Sequence, residues 1–440
     1  MIDISQKDAI VSESLCNEKK DICIMSRKMV FGRYDYAAFL TFASYAMCSV
    51  VIPMCLVPLA KDLHFPLDEG GMGMGGAIQL GRSIPMTVML ILCGFIAARW
   101  GNRISVGVAV LFMASGILLA SASPGYWFLF AALTIAGLGE GVLEGLATPL
   151  VNDLHEDEAG RYINFTHSFW SIGVLVTVLV SGALLLWGIS WRFLAATFGC
   201  IAVIPGLLLL LPSKKKPFPK KVEPVHWKEV CGYAFHLFRT PRFWIYFAAI
   251  FLAGGGEFCL TFWTASFIQM SYAGSAWAAG VGTGAFALGM IVSRMGAGYF
   301  VREKNLGWLI VCCGIGAAVV SLFFPYLKSL YLLFPLLFLS GVGVGPFWAS
   351  IQSVCAKKVS GDDTMIFIIL SASGVPGCGI FSTLLGILGD HYGLRLSFFI
   401  VPVCFVLISV LIGFDIYLQK KAALKRLNGG RTAAEKTVLP

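Results

Sequence analysis

The stretch AGLGEGVLEG, residues 136–145, lies inside a long apolar segment and returns in shortened form as SGVGVG, residues 340–345, an offset of 204 residues. An offset that stays constant over distant parts of a chain indicates that one ancestral unit was duplicated. The same offset relates three further pairs of glycines: Gly94 and Gly298, Gly173 and Gly377, and Gly182 and Gly386.

The composition indicates that the duplicated unit is surrounded by lipid. Of 440 residues, 58% are hydrophobic and 13% are charged, and the mean hydropathy is +0.81. A soluble domain would carry roughly twice that share of charge. Apolar runs of about 20 residues can each cross the ~30 Å hydrocarbon core as a helix, and the alternating pattern of a barrel is absent. Twelve such runs predict an all-α membrane protein with twelve transmembrane helices, here called spans 1–12.

The polar segment LPSKKKPFPKKVEPVHWKEV, which starts at Leu211, divides the chain into two blocks of six spans. The sequence therefore predicts five parts in order along the chain. They are a cytoplasmic N-tail at 1–34, an N-terminal six-helix half at 35–211, a cytoplasmic linker at 212–241, a C-terminal six-helix half at 242–419 and a cytoplasmic C-tail at 420–440.

Lysine and arginine are distributed unevenly over this topology. Of the 33, 27 lie in tails and loops on the side of the termini, four lie on the other side and two lie within spans. This bias predicts a multi-pass protein of the plasma (inner) membrane with both termini in the cytoplasm. The net charge of +9 is then explained by anionic lipid headgroups of the bilayer and not by nucleic acid.

Several kinds of site are not supported by the sequence. Most of the 13 cysteines lie within apolar runs without regular metal spacing, so they are interpreted as small apolar residues. No nucleotide loop, metal cluster or nucleophile constellation indicates an enzyme, a metal or an organic cofactor. The polar N-tail lacks the apolar core of a cleavable signal peptide.

Two halves of six helices in parallel repeat are the architecture of major facilitator transporters. GFIAARWGNR, residues 94–103, resembles the loop motif of that superfamily after span 2, with Ala98 in place of the usual aspartate. GDHYGLR, residues 389–395, resembles the common turn before the last span. The resemblance implies a monomeric secondary transporter of a small molecule, working by alternating access. It also implies a gating role for Arg99 and Arg103.

A few polar side chains fall within the spans, where each charge costs about 3 kcal/mol or more. Glu140 and Glu144 lie one helical turn apart on span 4, and the offset of 204 maps them onto Val344 and Trp348. The acids are therefore present in one half only, which is expected of a site and not of a scaffold. The other members of this set are Gln79 and Arg82 in span 2, His167 in span 5, Glu257 in span 7 and Arg294 in span 8.

The charged groups near mid-membrane leave alternatives open. Glu140 either neutralises Arg82 and holds spans 2 and 4 together, or takes part in proton coupling. Arg82, with Gln79 one turn earlier, either pairs in this way or binds an anionic solute. His167 is either a solute ligand or proton partner, or a hydrogen-bonded structural residue. Glu144 is the first candidate for the proton carrier.

The second half supplies further candidates. Glu257 follows three glycines and corresponds in depth to Pro53 of span 1, so we expect both spans to unwind there and Glu257 to take part in proton coupling and solute binding. Arg294 is expected too near the cytoplasm for the central site, with a gate or loop-anchoring role. Trp348, which corresponds to Glu144, and Trp263 are candidates for stacking on a sugar ring.

Spans 4 and 5 also resemble the fucose–galactose–glucose proton symporter group. Glu144 precedes Pro149 by five residues, and Asn164 and His167 follow the polar turn in the pattern of that group. The resemblance implies that Glu144 carries the proton and that Asn164 and His167 contact a sugar. The chain departs from the pattern in span 1, where Ser49 replaces an aspartate, so Glu140 or Glu257 is left to take that role.

The sequence as a whole predicts a proton-coupled symporter of a small polar solute, with a sugar as the first hypothesis. The alternative is proton-coupled transport of an organic anion, such as a carboxylate, sulfonate or acidic sugar, bound through Arg82. Multidrug export is a lesser alternative, since the 34 phenylalanines favour it but the concentrated polar set does not. A receptor or scaffold would need a folded extramembrane domain, and no loop is long enough.

Overall fold

A computed structural model of the chain describes residues 29–155, 159–212, 218, 227–301, 303–360 and 363–436. Most of the predicted N-tail and most of the linker lie outside these residues. The described residues form helices and turns without a strand, and twelve helices are long and apolar enough to cross a membrane. The predicted all-α fold with twelve spans is therefore confirmed.

Spans 1–6 form the N-terminal half, and spans 7–12 form the C-terminal half. The first six are Arg33–Met54, Met72–Trp100, Asn102–Ser121, Tyr126–Leu154, Phe165–Leu186 and Trp191–Leu210. The second six are Pro241–Ser271, Ala276–Ala297, Leu306–Tyr326, Leu330–Lys358, Met365–Tyr392 and Leu394–Lys421. Because the number of spans is even, the start of span 1 and the end of span 12 lie on one side, here called the terminal face. The other side is called the opposite face.

Some helices differ from the spans they contain. The helix of span 5 begins at Ala159, that of span 8 ends at Phe300, and that of span 11 begins at Asp363. Span 12 consists of Leu394–Ser397 and Ile400–Lys436. Short helices also form at Leu56–Asp62 after span 1 and at Trp227–Arg239 before span 7, and 3-10 turns lie at Leu67–Glu69, Glu303–Asn305 and Phe324–Tyr326.

The helices keep the offset of 204 residues seen in the sequence. Met72 begins span 2 and Ala276 begins span 8, and the same separation relates the starts of spans 3 and 9 and of spans 4 and 10. Packing follows the same rule. Gly137 faces the Arg82 carbonyl and Gly341 faces the Phe286 carbonyl, again 204 residues apart in both cases. The duplication therefore extends from sequence to individual helix contacts, where small residues let the backbones approach closely.

The two halves meet closely near the opposite face. A Cβ added to Gly76 of span 2 would collide with the backbone at Ser382 of span 11, and one added to Gly182 of span 5 would meet the Ala276 carbonyl of span 8. Toward the terminal face, ionisable side chains within spans 5 and 8 are exposed or partly exposed, namely those of His167 and Arg294. Ionisable groups within spans face the interior of the bundle or a water-filled space and not lipid. The fold is therefore closed at the opposite face and open toward the terminal face.

The helix break expected in span 7 is wrong. Span 7 continues as one helix from Pro241 to Ser271 through its three glycines. These glycines serve close packing instead, since a Cβ on Gly254 would meet the Gly374 carbonyl and one on Gly256 would meet the ring of Phe405. Span 1 does end at Met54, directly after Pro53, as expected from the missing N–H of proline.

Span 10 contains a break that the sequence did not predict. One helix ends at Val344, and the next begins at Phe347. The intervening dipeptide is Gly345-Pro346, a combination that commonly interrupts a helix because glycine is flexible and proline lacks a donor. Span 4, the corresponding helix of the first half, is continuous from Tyr126 to Leu154.

Candidate functional site

Arg82 and Glu140 form an ion pair inside the N-terminal half. Nε of Arg82 donates to Oε2 of Glu140 at 2.6 Å, and Nη2 donates to Oε1. The guanidinium also donates to the backbone carbonyls of Cys48 at 2.8 Å and Ser49 at 3.3 Å. Because Arg82 is 3% exposed and Glu140 1% exposed, the pair joins spans 1, 2 and 4 and does not face the open space.

The proline of span 1 explains why one of these carbonyls is available. In a helix the Ser49 carbonyl would accept from the N–H four residues later, but that position is Pro53, which has no N–H. Arg82 supplies a donor to this carbonyl in its place. Ser49 therefore contributes to the site through its backbone, at the position where the fucose symporter pattern has an aspartate.

Glu144 lies one turn further along span 4 and has different surroundings. Its Oε2 accepts a hydrogen bond from the Tyr45 hydroxyl of span 1 at 3.2 Å. Within the described residues no lysine, arginine or histidine lies within ion-pair distance of it. Glu144 is half-buried, whereas its neighbour Glu140 is fully buried.

Arg294 pairs with Glu257 across spans 8 and 7. Nη2 of Arg294 lies 3.1 Å from Oε1 of Glu257, and Nε donates to the Gly345 carbonyl at the break in span 10 at 3.0 Å. The guanidinium also lies 5.7 Å from the ring centroid of Trp170 in span 5, which belongs to the other half. The side chains of Arg294 and Glu257 are 32% and 8% exposed, so this pair, unlike the first, borders the open space.

The expectation that Arg294 lies away from the central site is therefore wrong. Its Cα is two turns from the end of the helix at Phe300, but a helical side chain points toward the helix N-terminus. Span 8 begins at the opposite face, so the long side chain of Arg294 reaches toward mid-membrane. Both Arg294 and Glu257 lie close enough to interact electrostatically with Glu144.

His167 and Thr148 form a polar contact between spans 5 and 4. Nε2 of His167 lies 2.9 Å from Oγ1 of Thr148, and the imidazole packs 4.6 Å from the ring of Phe42. His167 is exposed to the space between the halves and interacts electrostatically with Arg294. The structure thus brings His167 into the same group as Glu144. The side chain of Asn164 lies outside the described residues.

The two candidate tryptophans are placed differently. Trp348 follows the break in span 10, is half-buried, and lies with its six-membered ring over Gly374 of span 11, where a Cβ would not fit. Trp263 is fully buried near the opposite face and donates from Nε1 to the Ser382 carbonyl at 2.9 Å. Trp348 therefore borders the open space, and Trp263 does not. Gln79 is also buried, at 6% exposed.

The two arginines expected to act in gating lie at the terminal face of the N-terminal half. Arg103 donates to the Leu209 carbonyl at the end of span 6 at 2.5 Å, and its guanidinium lies 5.8 Å from the ring centroid of Tyr34. Arg99 is exposed, and the part of the chain that the structure describes gives it no hydrogen bond or ion pair. In this open conformation neither arginine joins the two halves.

A contact between the halves at the opposite face involves Asp390, within the GDHYGLR stretch. Its carboxylate accepts from the backbone N–H groups of Met72 at 2.8 Å and Gly73 at 2.7 Å, which begin span 2. Span 8 starts instead with Ser275, whose own hydroxyl caps its helix. Span 2 cannot use that solution, since the matching residue is Gly71 and a Cβ there would collide with the Phe65 carbonyl. Asp390 therefore caps span 2 from the other half.

The sequence matches the family model of the Major Facilitator Superfamily over residues 37–377. The chain belongs to the Major Facilitator Superfamily. It is a membrane transporter by this membership and not an enzyme. The expected resemblance to major facilitator transporters is confirmed.

Solved structures with the facilitator fold resemble this chain over most of its length. A bacterial homologue of the human lysosomal transporter Spinster, inward-facing and occupied, has a TM-score of 0.70 at 14% identity, covering 86% of this chain and 95% of that protein. The fucose:proton symporter of E. coli has a TM-score of 0.60 at 17% identity, covering 86% and 98%. These likenesses show a shared fold.

Two relatives found by sequence match different shares of the chain. The oxalate:formate antiporter of Oxalobacter formigenes is 25% identical over 242 residues, which cover 52% of this chain and 55% of the antiporter. The match thus spans about half the length of that relative. Bypass of stop codon protein 6 of Saccharomyces cerevisiae is 23% identical over 368 residues, covering 72% and 71%.

Two members of this facilitator's site were not among the sequence candidates. Tyr45 lies four residues before Ser49, one helical turn from the position compared with the fucose permease, so helical spacing could have indicated it. Thr148 directly precedes Pro149, and its hydroxyl can serve as a hydrogen-bond partner of the His167 imidazole.

Proposed function

We propose that this facilitator moves a small polar solute together with protons by alternating access, with Glu144 as the proton carrier. The observation that carries the proposal is the contrast among the three acids within the spans, Glu140, Glu144 and Glu257. Glu140 and Glu257 must break an ion pair to take up a proton, whereas Glu144 has only to exchange a hydrogen bond with Tyr45. Among the described residues of the site, Glu144 is thus the acid that can change its charge at least structural cost.

The solute that the site supports best is neutral, with a sugar or sugar-like molecule as the first candidate. Because each arginine is already paired with a glutamate, a charged solute would meet no uncompensated cation among the described site residues. A neutral polyol needs hydrogen-bonding groups and an apolar ring face, and His167, Thr148 and Trp348 supply both. The solved relatives of this fold include the fucose:proton and D-xylose-proton symporters.

An organic anion is the second candidate, and one observation favours it. Arg294 is partly exposed beside the open space, so a carboxylate could displace Glu257 from it while Glu257 takes up a proton. The oxalate:formate antiporter is a relative that carries such solutes. In this version Arg294 replaces Arg82 as the anion ligand, since Arg82 is sealed within the N-terminal half.

The terminal face is assigned to the cytoplasm and the bilayer to the plasma membrane, in keeping with the positive charge of the loops on that side. Each chain contains the whole pathway between its own two halves, which supports action as a monomer.

Transport by purified protein in liposomes tests the proposal. An imposed proton gradient should drive accumulation of the solute by the native chain, and Glu144→Gln should abolish accumulation but retain exchange of labelled for unlabelled solute. Glu69→Gln, an exposed acid at the opposite face, serves as the control. Uphill accumulation that survives in Glu144→Gln would refute proton carriage by this residue.

The two solute classes are separated by a panel of sugars and carboxylates with a second variant. Arg294→Gln should retain at least about half of sugar exchange if the solute is neutral, and lose about 1.5–3 kcal/mol of binding if it is an anion. Thermal stabilisation of the purified protein by each compound gives the ligand class without requiring transport.

A further inference from the structure

A cavity of about 460 Å³ opens on the terminal face of the C-terminal half, away from the central site. It lies among the beginning of span 9 and the ends of spans 10 and 12. Its polar walls are mainly basic, with Trp308 and the aliphatic side chains of Leu306, Val354 and Ile416 between them. The four cations are Lys304, Lys357, Lys358 and Lys420.

The charged residues along the described wall of the cavity are lysines. No aspartate or glutamate is among its described lining residues. Behind the wall, Asp415 accepts from Lys358 at 3.1 Å, but the same carboxylate is shared with Arg242 at 2.6 Å. One buried acid thus serves two cations. Lys420 extends over the ring of Trp308, and its Nζ lies 5.3 Å from the ring centroid.

The duplicated half provides an internal comparison. Under the offset of 204 residues, Lys304, Trp308, Lys357 and Lys358 correspond to Trp100, Ile104, Asp153 and Leu154, whereas Lys420 corresponds to Lys216. The N-terminal half therefore lacks three of the four lysines and the tryptophan at these positions, although Arg99 and Arg103 lie beside them. Because the general bias of loops toward positive charge applies to both halves, the combination of lysines with Trp308 is what distinguishes this cavity.

The position of the cavity indicates its ligand. Trp308 is 50% exposed at the end of a span, where tryptophan commonly lies at the depth of lipid headgroups. Lysine side chains at this depth place their stems along apolar surface and their ammonium groups among phosphates. We propose that this cavity binds the phosphate of an anionic phospholipid headgroup in the leaflet at the terminal face. A soluble phosphate ester shares the phosphate but gains nothing from the membrane-level Trp308.

The test uses the full chain in detergent, with added phosphatidylglycerol or phosphatidylcholine and thermal unfolding as the readout. Phosphatidylglycerol should stabilise the native protein more than phosphatidylcholine. The variant Lys304→Gln/Lys420→Gln should need at least about tenfold more phosphatidylglycerol for half of the effect. The control Lys61→Gln/Lys328→Gln removes two exposed lysines at the opposite face and should respond as the native chain does.

A photoreactive phosphatidylglycerol locates the site directly, with cross-links expected in peptides containing 304–308, 353–358 or 416–420. Glycerol 3-phosphate is the soluble arm and should stabilise weakly. Equal effects of the two phospholipids, an unchanged response of Lys304→Gln/Lys420→Gln, or cross-links confined to other regions would each overturn the proposal. Saturating stabilisation by glycerol 3-phosphate alone would overturn the lipid as the ligand.

Discussion

The two arginines within the spans differ in burial, and burial determines how much stability is lost when the paired glutamate is removed. Arg82 is sealed with Glu140 and two backbone carbonyls, whereas Arg294 and Glu257 border accessible space. Removing one member of a sealed pair leaves an uncompensated charge, and the cost is much larger than the net contribution of the pair itself. Water can replace the missing partner at an accessible pair.

We therefore expect Glu140→Gln to destabilise the folded protein by about 3–5 kcal/mol. Glu257→Gln should cost less than half as much, because water can approach Arg294. Unfolding in detergent, followed by the loss of helical circular dichroism, provides the measurement. Equal destabilisation by the two variants would show that the pairs do not differ in solvation.

At this scale the sequence predicted which residues are buried and polar but not all of their pairings. The pairing of Arg82 with Glu140 was one of two alternatives, and the structure contains it. The predicted depth of Arg294 was wrong because counting residues from the end of a span gives the position of the Cα. The guanidinium lies several ångströms away from that atom. The hydrogen bonds from Arg82 to the carbonyls of Cys48 and Ser49 form because span 1 packs against span 2, and no local sequence pattern specifies that packing.

Two glycines of the same helix can differ in whether a neighbouring helix leaves space for a side chain. Gly76 and Gly94 both lie in span 2. At Gly76 a Cβ would collide with the backbone of span 11, whereas at Gly94 no atom outside its own helix lies within 4 Å. Gly76 allows the two halves to approach each other at the opposite face. No neighbouring atom requires a glycine at position 94.

Alanine substitutions at these two positions should therefore have opposite effects. Gly76→Ala should destabilise this closed arrangement by about 1–3 kcal/mol through steric overlap. Gly94→Ala should be neutral or stabilising by up to about 1 kcal/mol, since alanine is the better helix former. Thermal unfolding of both variants in the same detergent checks this, and a loss of stability in Gly94→Ala would contradict the assignment.

The cap on span 2 gives a second prediction for an element. Asp390→Ala removes the acceptor for the N–H groups of Met72 and Gly73, and Gly71 cannot be replaced by a capping residue. A lost helix cap costs about 1 kcal/mol, roughly a fivefold shift in an equilibrium between two conformations. Energy transfer between fluorophores at positions 61 and 328, one in each half, should fall as the opposite face opens.

Asp390→Asn is the matched control for that experiment, since its amide oxygen still accepts one hydrogen bond and the shift should be smaller. If Asp390→Ala leaves the energy transfer unchanged, the cap does not hold the two halves together.

The elements themselves were predictable in number and order, because long apolar runs are unambiguous. The positions at which the helices are interrupted could not be predicted in the same way. The glycines at 254–256 and the dipeptide at 345–346 both resemble interruptions in the sequence. Span 7 stays helical because neighbouring helices fill the space beside its glycines, and span 10 breaks where proline removes a donor.

The molecule as a whole is open on one side, and this determines the direction of access. His167 is exposed between the halves, whereas Gln79 is buried beneath the closed opposite face. We expect a membrane-impermeant maleimide to label His167→Cys when added at the terminal face, at least about tenfold faster than Gln79→Cys, since cysteine reactivity requires access. Faster labelling of either variant from the opposite face would contradict the described conformation.

The architecture of two six-helix halves could be predicted because the chain arose by duplication, and the constant offset of 204 residues reveals that duplication in the sequence alone. What the offset cannot give is the asymmetry added later, since Asp390, the acids of span 4, and Lys304 and Lys357 near Trp308 are each absent from the corresponding position of the other half. Asp390 joins the two halves, and the acids and lysines are where protons and lipid are expected to act.

The interruption at Gly345-Pro346 has a mechanical consequence for such a doubled molecule. The proline of span 4, Pro149, lies near the terminal-face end of a continuous helix, whereas Pro346 interrupts span 10 near its middle. The Arg294 guanidinium donates to the Gly345 carbonyl at this interruption. Because each proline removes one helix hydrogen bond, we expect the two spans to bend at different depths and the two halves to move by unequal amounts during each turnover.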